Sequence, residues 1–146
     1  MTVSNWKMRY INGSARSHKT RAEQEEADFV AFIADVIRPA YSEIGRELSQ
    51  KGRTVTIHET RAACAISVMS DKTLEITFRI MSLSMPTGTV PNIEVKMHER
   101  KGLKVQTRTF PLRGTSEERR TIADTQQEDI VECFFKHYND AIENLK

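Results

Sequence analysis

Cysteine is nearly absent from this chain of 146 residues. Cys64 and Cys133 stand far apart with no CxxC spacing, which excludes structural zinc of the finger or ribbon type. Each sits in a hydrophobic pattern, where a thiol acts as a small apolar side chain, so no disulfide is expected. Also missing are a GxSxG elbow, an HExxH helix and a glycine-rich phosphate loop. The usual sequence signs of an activated serine, a zinc hydrolase and a nucleotide cradle are therefore lacking. No apolar run approaches the length of a membrane span. Residues 1–21 lack the continuous apolar stretch of a secretory signal, so the expected location is cytoplasmic.

Acidic residues are missing from the first 22 positions. Positions 1–22 carry Lys7, Arg9, Arg16, Lys19 and Arg21 with no Asp or Glu, whereas the last 32 residues hold eight acids against four bases. The net charge of +2 does not by itself mark a nucleic-acid binder, but this uneven distribution keeps a polyanion in view as a ligand. With 38 % hydrophobic and 29 % charged residues the composition is that of a soluble globular protein. One domain of this length buries roughly 70 % of the surface its unfolded chain exposes.

Residues 1–20 follow neither hydrophobic period and are expected to be a basic, flexible arm preceding a single domain over 21–146. From Arg21 the spacing of Val30, Ile33, Ile37, Tyr41, Ile44 and Leu48 predicts a helix, widened by Phe29, Phe32 and Val36. Pro39 lies inside it and predicts a kink near Arg38, and Gly52 is placed as a helix-terminating glycine. The period then falls to two. Val55 and Ile57; Cys64, Ile66 and Val68; Leu74, Ile76, Phe78 and Ile80; Ile93, Val95 and Met97; and Leu103, Val105 and Thr107 form the inward sides of five strands. Residues 82–92, with two prolines and a glycine, read as a rather apolar loop containing Met85 and Pro86. A capping box at Thr125–Glu128, or an earlier one at Thr115–Glu118, opens a last helix with Ile130, Phe134, Tyr138, Ile142 and Leu145 on one face. Strands with one apolar and one polar face predict an α+β two-layer sandwich. About five antiparallel strands carry an N-terminal and a C-terminal helix on one side.

Two phrases nearly repeat: VTIHETR (55–61) and VKMHERK (95–101). His58, Glu59, His98 and Glu99 would suffice for a metal or an acid/base centre if they converged. In a simple meander the two phrases end at opposite rims of the sheet, so they read as two similar strand ends. No catalytic residue, metal or cofactor is assigned, and an enzyme built on these four residues is the least favoured alternative. Lys96, His98, Lys104, Gln106 and Arg108 are expected on the uncovered sheet face, which together with Met85 and Pro86 of the loop forms the candidate binding surface. Small side chains such as Ala63, Ala65 and Ser67 join them there. The expected function is a binding or interaction module, homo-oligomeric or held to a protein partner and free of the membrane. Nucleic-acid or polyanion binding through Lys96, Lys104, Arg108 and the arm is the alternative, weakened by the shortage of aromatic rings for base stacking.

Overall fold

The computed structural model describes residues 20–100, 104–112 and 120–146; the basic arm, Leu103 and the capping box at 115–118 lie outside them. Thr20 opens the first helix, its side chain accepting from the Glu23 N–H at 3.1 Å. Helix α1 (Arg21–Phe32) passes through a π turn (Ile33–Ile37) into α2 (Arg38–Gln50). The π turn is the local answer to Pro39. Proline removes the donor that would reach back one turn and its ring crowds the carbonyl there. The chain widens just before it, and the Arg38 N–H reaches Ile33 O, five residues back. The inserted residue shifts the buried stripe, so Phe29, Phe32, Ile33 and Ile37 are buried while Val30 is exposed. A Schellman motif closes α2. Gly52 has φ of 81°, the Gly52 N–H reaches Ser49 O, and the Arg53 N–H reaches Leu48 O.

Five strands follow in chain order as one antiparallel meander: β1 (Thr54–Glu59), β2 (Ala63–Ser70), β3 (Thr73–Met85), β4 (Gly88–His98) and β5 (Val105–Pro111). Residues 82–92 are not a loop. β3 runs to Met85, a two-residue turn at Pro86 and Thr87 reverses the chain, and Met85 pairs with Gly88. The prolines and serines suggest irregular structure, but the pairing tolerates them. Pro91 lies opposite Ser82, whose N–H turns away to Ala62 O, so Pro91 removes no bond from this ladder. Helix α1 braces the hairpin. The Arg21 guanidinium donates to Met85 O and the Ser84 hydroxyl to Glu25 at 3.1 Å.

A short 3₁₀ turn (Ile122–Asp124) leads to α3 (Gln127–Leu145). Its capping box is one residue later than the sequence suggests: Gln126 is the cap, and Asp129 accepts from the Gln126 N–H at 2.9 Å. Ile130, Phe134, Tyr138 and Ala141 are buried along α3. Phe134 meets Phe78 of β3 edge-on with ring centroids 5.5 Å apart, and Tyr41 of α2 donates to Cys64 O at 2.8 Å. Both helical segments thus lie on one face of the sheet, the α+β arrangement expected from the alternation. Among the described residues no helix is long and apolar enough to cross a membrane.

Candidate functional site

The face of the sheet turned away from the helices is the candidate surface, and the strand registers arrange it in rows. One row crosses all five strands as Thr56, Ser67, Thr77, Lys96 and Thr107. It is a hydroxyl stripe with one ammonium, and Ser67 and Thr77 share a hydrogen bond at 3.4 Å. The next row is His58, Ala65, Arg79, Glu94 and Thr109. Glu94 lies between two cations, 4.0 Å from Arg79 and 3.9 Å from Lys96. These long, solvent-facing pairs fix little geometry, and the one carboxylate offsets only one of the two cations at the centre of the face.

Thioethers and aliphatic side chains flank the polar rows. Met69 pairs with Leu74 at one end, and Met81, Leu83 and Met85 alternate along β3 toward the hairpin tip. Leu74 is 41 % exposed. Towards the tip the face closes: Ala63 and Val90 are buried, and Asn92 Oδ1 is buried without a hydrogen-bond partner among the described residues.

The expected binding residues divide between the two faces. Lys96 and His98 lie on the open face, and Asn144 of α3 donates to the His98 carbonyl at 2.9 Å. Gln106 and Arg108 do not join them. They pair with Met97 and Val95, two core residues, and so lie on the helix side of the sheet. Val105, 52 % exposed, and Thr107 take the open face in their place. The expected phase of β5 is therefore inverted. Val105 and Phe110 compete for the core because their positions differ in parity. The larger ring wins, stacking on His137 of α3 with centroids 4.5 Å apart. Lys104 is exposed just before β5, and Met85 and Pro86 stand at the hairpin tip.

The two His-Glu phrases are set far apart. The row of His58 meets β4 at Glu94, three strand spacings or about 14 Å away, and His98 lies four residues further along, about 13 Å. Glu59 is committed elsewhere, since Arg38 grips both its oxygens at 2.7 and 2.8 Å. That grip holds the Glu59 carboxyl below its ordinary range. Beside this pair a cleft of about 240 Å³ opens at the π turn, floored by Val30 and Ile33. Its second guanidinium, Arg61, is bound to Glu26. Neither cysteine is disposed to act as a nucleophile, because burial pushes the Cys64 thiol up to about 11 and the Cys133 thiol to about 12.

Glu75 is a residue that alternation assigns wrongly. A bulge at Val68 and Met69 pairs Val68 with Ile76 and Met69 with Leu74, leaving Glu75 as the extra residue. Leu74 is thereby turned outward. Glu75 turns under the helices, where Tyr138 donates to it at 2.7 Å and Arg53 at 3.2 and 3.4 Å. Nothing in the local sequence signals the bulge; a lone acid between Leu74 and Ile76 reads as an ordinary outward residue.

Compared with known proteins, the chain matches no family model, no curated protein and no solved structure.

Proposed function

We propose that this protein is a non-enzymatic binding or interaction module of the cytoplasm, acting as an oligomer or with a protein partner. Its recognition surface is the open sheet face together with the β3–β4 hairpin tip. One observation carries this reading. A broad face lined by Thr56, Ser67, Thr77 and Thr107 is flanked by Met69, Leu74, Met81, Leu83 and Met85, and its central Arg79 and Lys96 share the single carboxylate of Glu94. Flexible thioethers adapt to an irregular partner surface, hydroxyls can donate to or accept from it, and aliphatic groups at a face supply apolar contact. The same geometry disfavours the polyanion reading, since Arg108 is on the other face and Lys96 stands beside Glu94.

The test is solution mass by light scattering at low and high salt, with and without nuclease, on the wild-type chain and on Thr77→Arg. An assembly that resists salt and nuclease but is lost in T77R supports the open face. A single chain that carries nucleic acid until salt strips it overturns this reading in favour of polyanion binding, because phosphate contacts weaken steeply with salt.

A further inference from the structure

The outer edge of β1 carries its own instruction for a partner. Among the described residues β1 pairs only with β2, and the Thr60 N–H bond to Ala63 O fixes the phase of that ladder. Thr54, Thr56 and His58 therefore turn their backbone groups toward β2, while Val55, Ile57 and Glu59 turn theirs outward. These three outward N–H and C=O pairs have no partner among the described residues. Natural edge strands are blunted by lysine, proline, a bulge or a covering segment. Among the described residues β1 has no lysine, proline, bulge or covering segment, and its one acid, Glu59, is paired with Arg38. It reads TVTIHE, five of its six residues are exposed, and its ladder with β2 is regular throughout. The outer end of β4 shows the contrast, since the segment at Thr121–Asp124 packs beside it near Gly88.

We infer that β1 pairs antiparallel with β1 of a second copy of this chain, with the two-fold axis at Ile57, joining two sheets into one of ten strands. The proposal deepens the oligomeric part of the reading above and rests on it, but uses the sheet edge in place of the open face. Centred on Ile57, the pairing sets Val55 opposite Glu59 of the second copy and Ile57 opposite itself. Every outward donor and acceptor of the strand is then satisfied, giving six bonds. The side chains agree with this register. Ile57 lies on the helix side yet is 47 % exposed, and it would be covered by its own symmetry mate. No like charges face each other from Thr54 to Thr60, because Glu59 meets Val55 and is already neutralised by Arg38.

The helix layer also permits the approach. Gly45 of α2 faces Val55, with 3.7 Å from its Cβ direction to a Val55 methyl, so this side of α2 overlooks β1. Helical spacing puts Ser42 and Ser49 on the same side, and both are exposed and small. Over the new strand pair the two α2 helices would face each other with Ser42 and Ser49, while Arg38, on the same side one turn earlier, is held down to Glu59 of β1.

The experiment compares the solution mass of the full chain with that of Ile57→Lys, together with hydrogen exchange at the outward amides. The wild type is expected at twice its 16.7 kDa chain mass, with the Val55, Ile57 and Glu59 amides protected. I57K should return to the single-chain mass and lose that protection, while Asp140→Lys on the exposed side of α3 keeps the doubled mass. Ile57→Cys should form a disulfide-linked dimer under mild oxidation, because facing residues of a hydrogen-bonded pair lie about 5.5 Å apart at Cα. Leu74→Cys on the open face should not. A wild-type chain of single mass overturns the pairing. A doubled mass that survives I57K but is lost in T77R also overturns it, and leaves the open-face reading standing.

Discussion

The Tyr138 hydroxyl of α3 donates to the Glu75 carboxylate of β3 at 2.7 Å, tying the last helix to a bulge in the sheet 63 residues earlier. Arg53, at the start of β1, completes the cluster from the other side. A nearly buried carboxylate is thus held by one cation and one phenol. Tyr138→Phe removes the phenol donor alone and is expected to destabilise the fold by about 1–3 kcal/mol, the usual consequence of leaving a buried polar group short of a partner. Urea unfolding followed by circular dichroism measures it, and an unchanged midpoint would show that the cluster is held by Arg53 only.

The same phenol sets the alkaline limit. Burial first, and then the bond to Glu75, push Tyr138 up to about 12 from an ordinary value of 10.0, and burial raises Tyr41 well above it. A group whose proton is held more tightly in the fold contributes stability that is complete below its unfolded pKa and is lost as pH rises above it. Stability should therefore decline above about pH 10, and the ultraviolet titration of Tyr41 and Tyr138 should coincide with unfolding. Phenolate absorbance from both at pH 10 with the fold intact would contradict this placement.

On the acid side the sign reverses. The Ser84 hydroxyl, and then Arg21, hold Glu25 below its ordinary range, and Arg38 does the same for Glu59. Their contributions are present above the ordinary value near 4.5 and fade as pH falls below it. Arg38→Met should lower stability at neutral pH and flatten the loss between neutral pH and pH 3. Because these pairs are open to solvent the effect is small and screened by salt. Equal acid slopes in wild type and variant would remove Glu59 from the account.

The phase of β5 can be tested covalently. Lys96 and Thr107 face each other at a pair lacking direct ladder bonds, where Cα atoms approach to about 4.5 Å, well inside disulfide reach. Lys96→Cys combined with Thr107→Cys should crosslink on air oxidation. Lys96→Cys with Arg108→Cys should not, because those side chains lie on opposite faces of the sheet. The reverse result would restore the arrangement that simple alternation suggests.

Both native thiols are buried or half-buried and poorly ionised at neutral pH. Ellman's reagent at pH 8 should therefore label neither at an appreciable rate until the chain unfolds, when both react. Prompt labelling of one thiol in the folded protein would show that its helix or strand opens locally.

The sequence by itself determined the class of fold and the place of most elements, because hydrophobic period is a local quantity. Ile66 and Val68, Phe78 and Ile80, and Ile93 and Val95 can be buried together only by alternating, and Phe134 and Tyr138 only by turning as a helix. The five antiparallel strands and the helices at each end were legible for that reason. What only the tertiary structure decided depends on competition between distant parts. The fate of Pro39 was settled by a π turn that keeps both Phe29 and Tyr41 in the core. Residues 82–92 became paired strand with α1 bracing them, Arg21 donating to Met85 O and Glu25 accepting from the Ser84 hydroxyl, a gain invisible in a run of Pro, Ser and Gly. Glu75 turned inward because Tyr138 and Arg53 were there to receive it. In β5, where Val105 and Phe110 pull the strand in opposite phases, the ring of His137 tipped the balance, and with it chose which basic residues face the open surface.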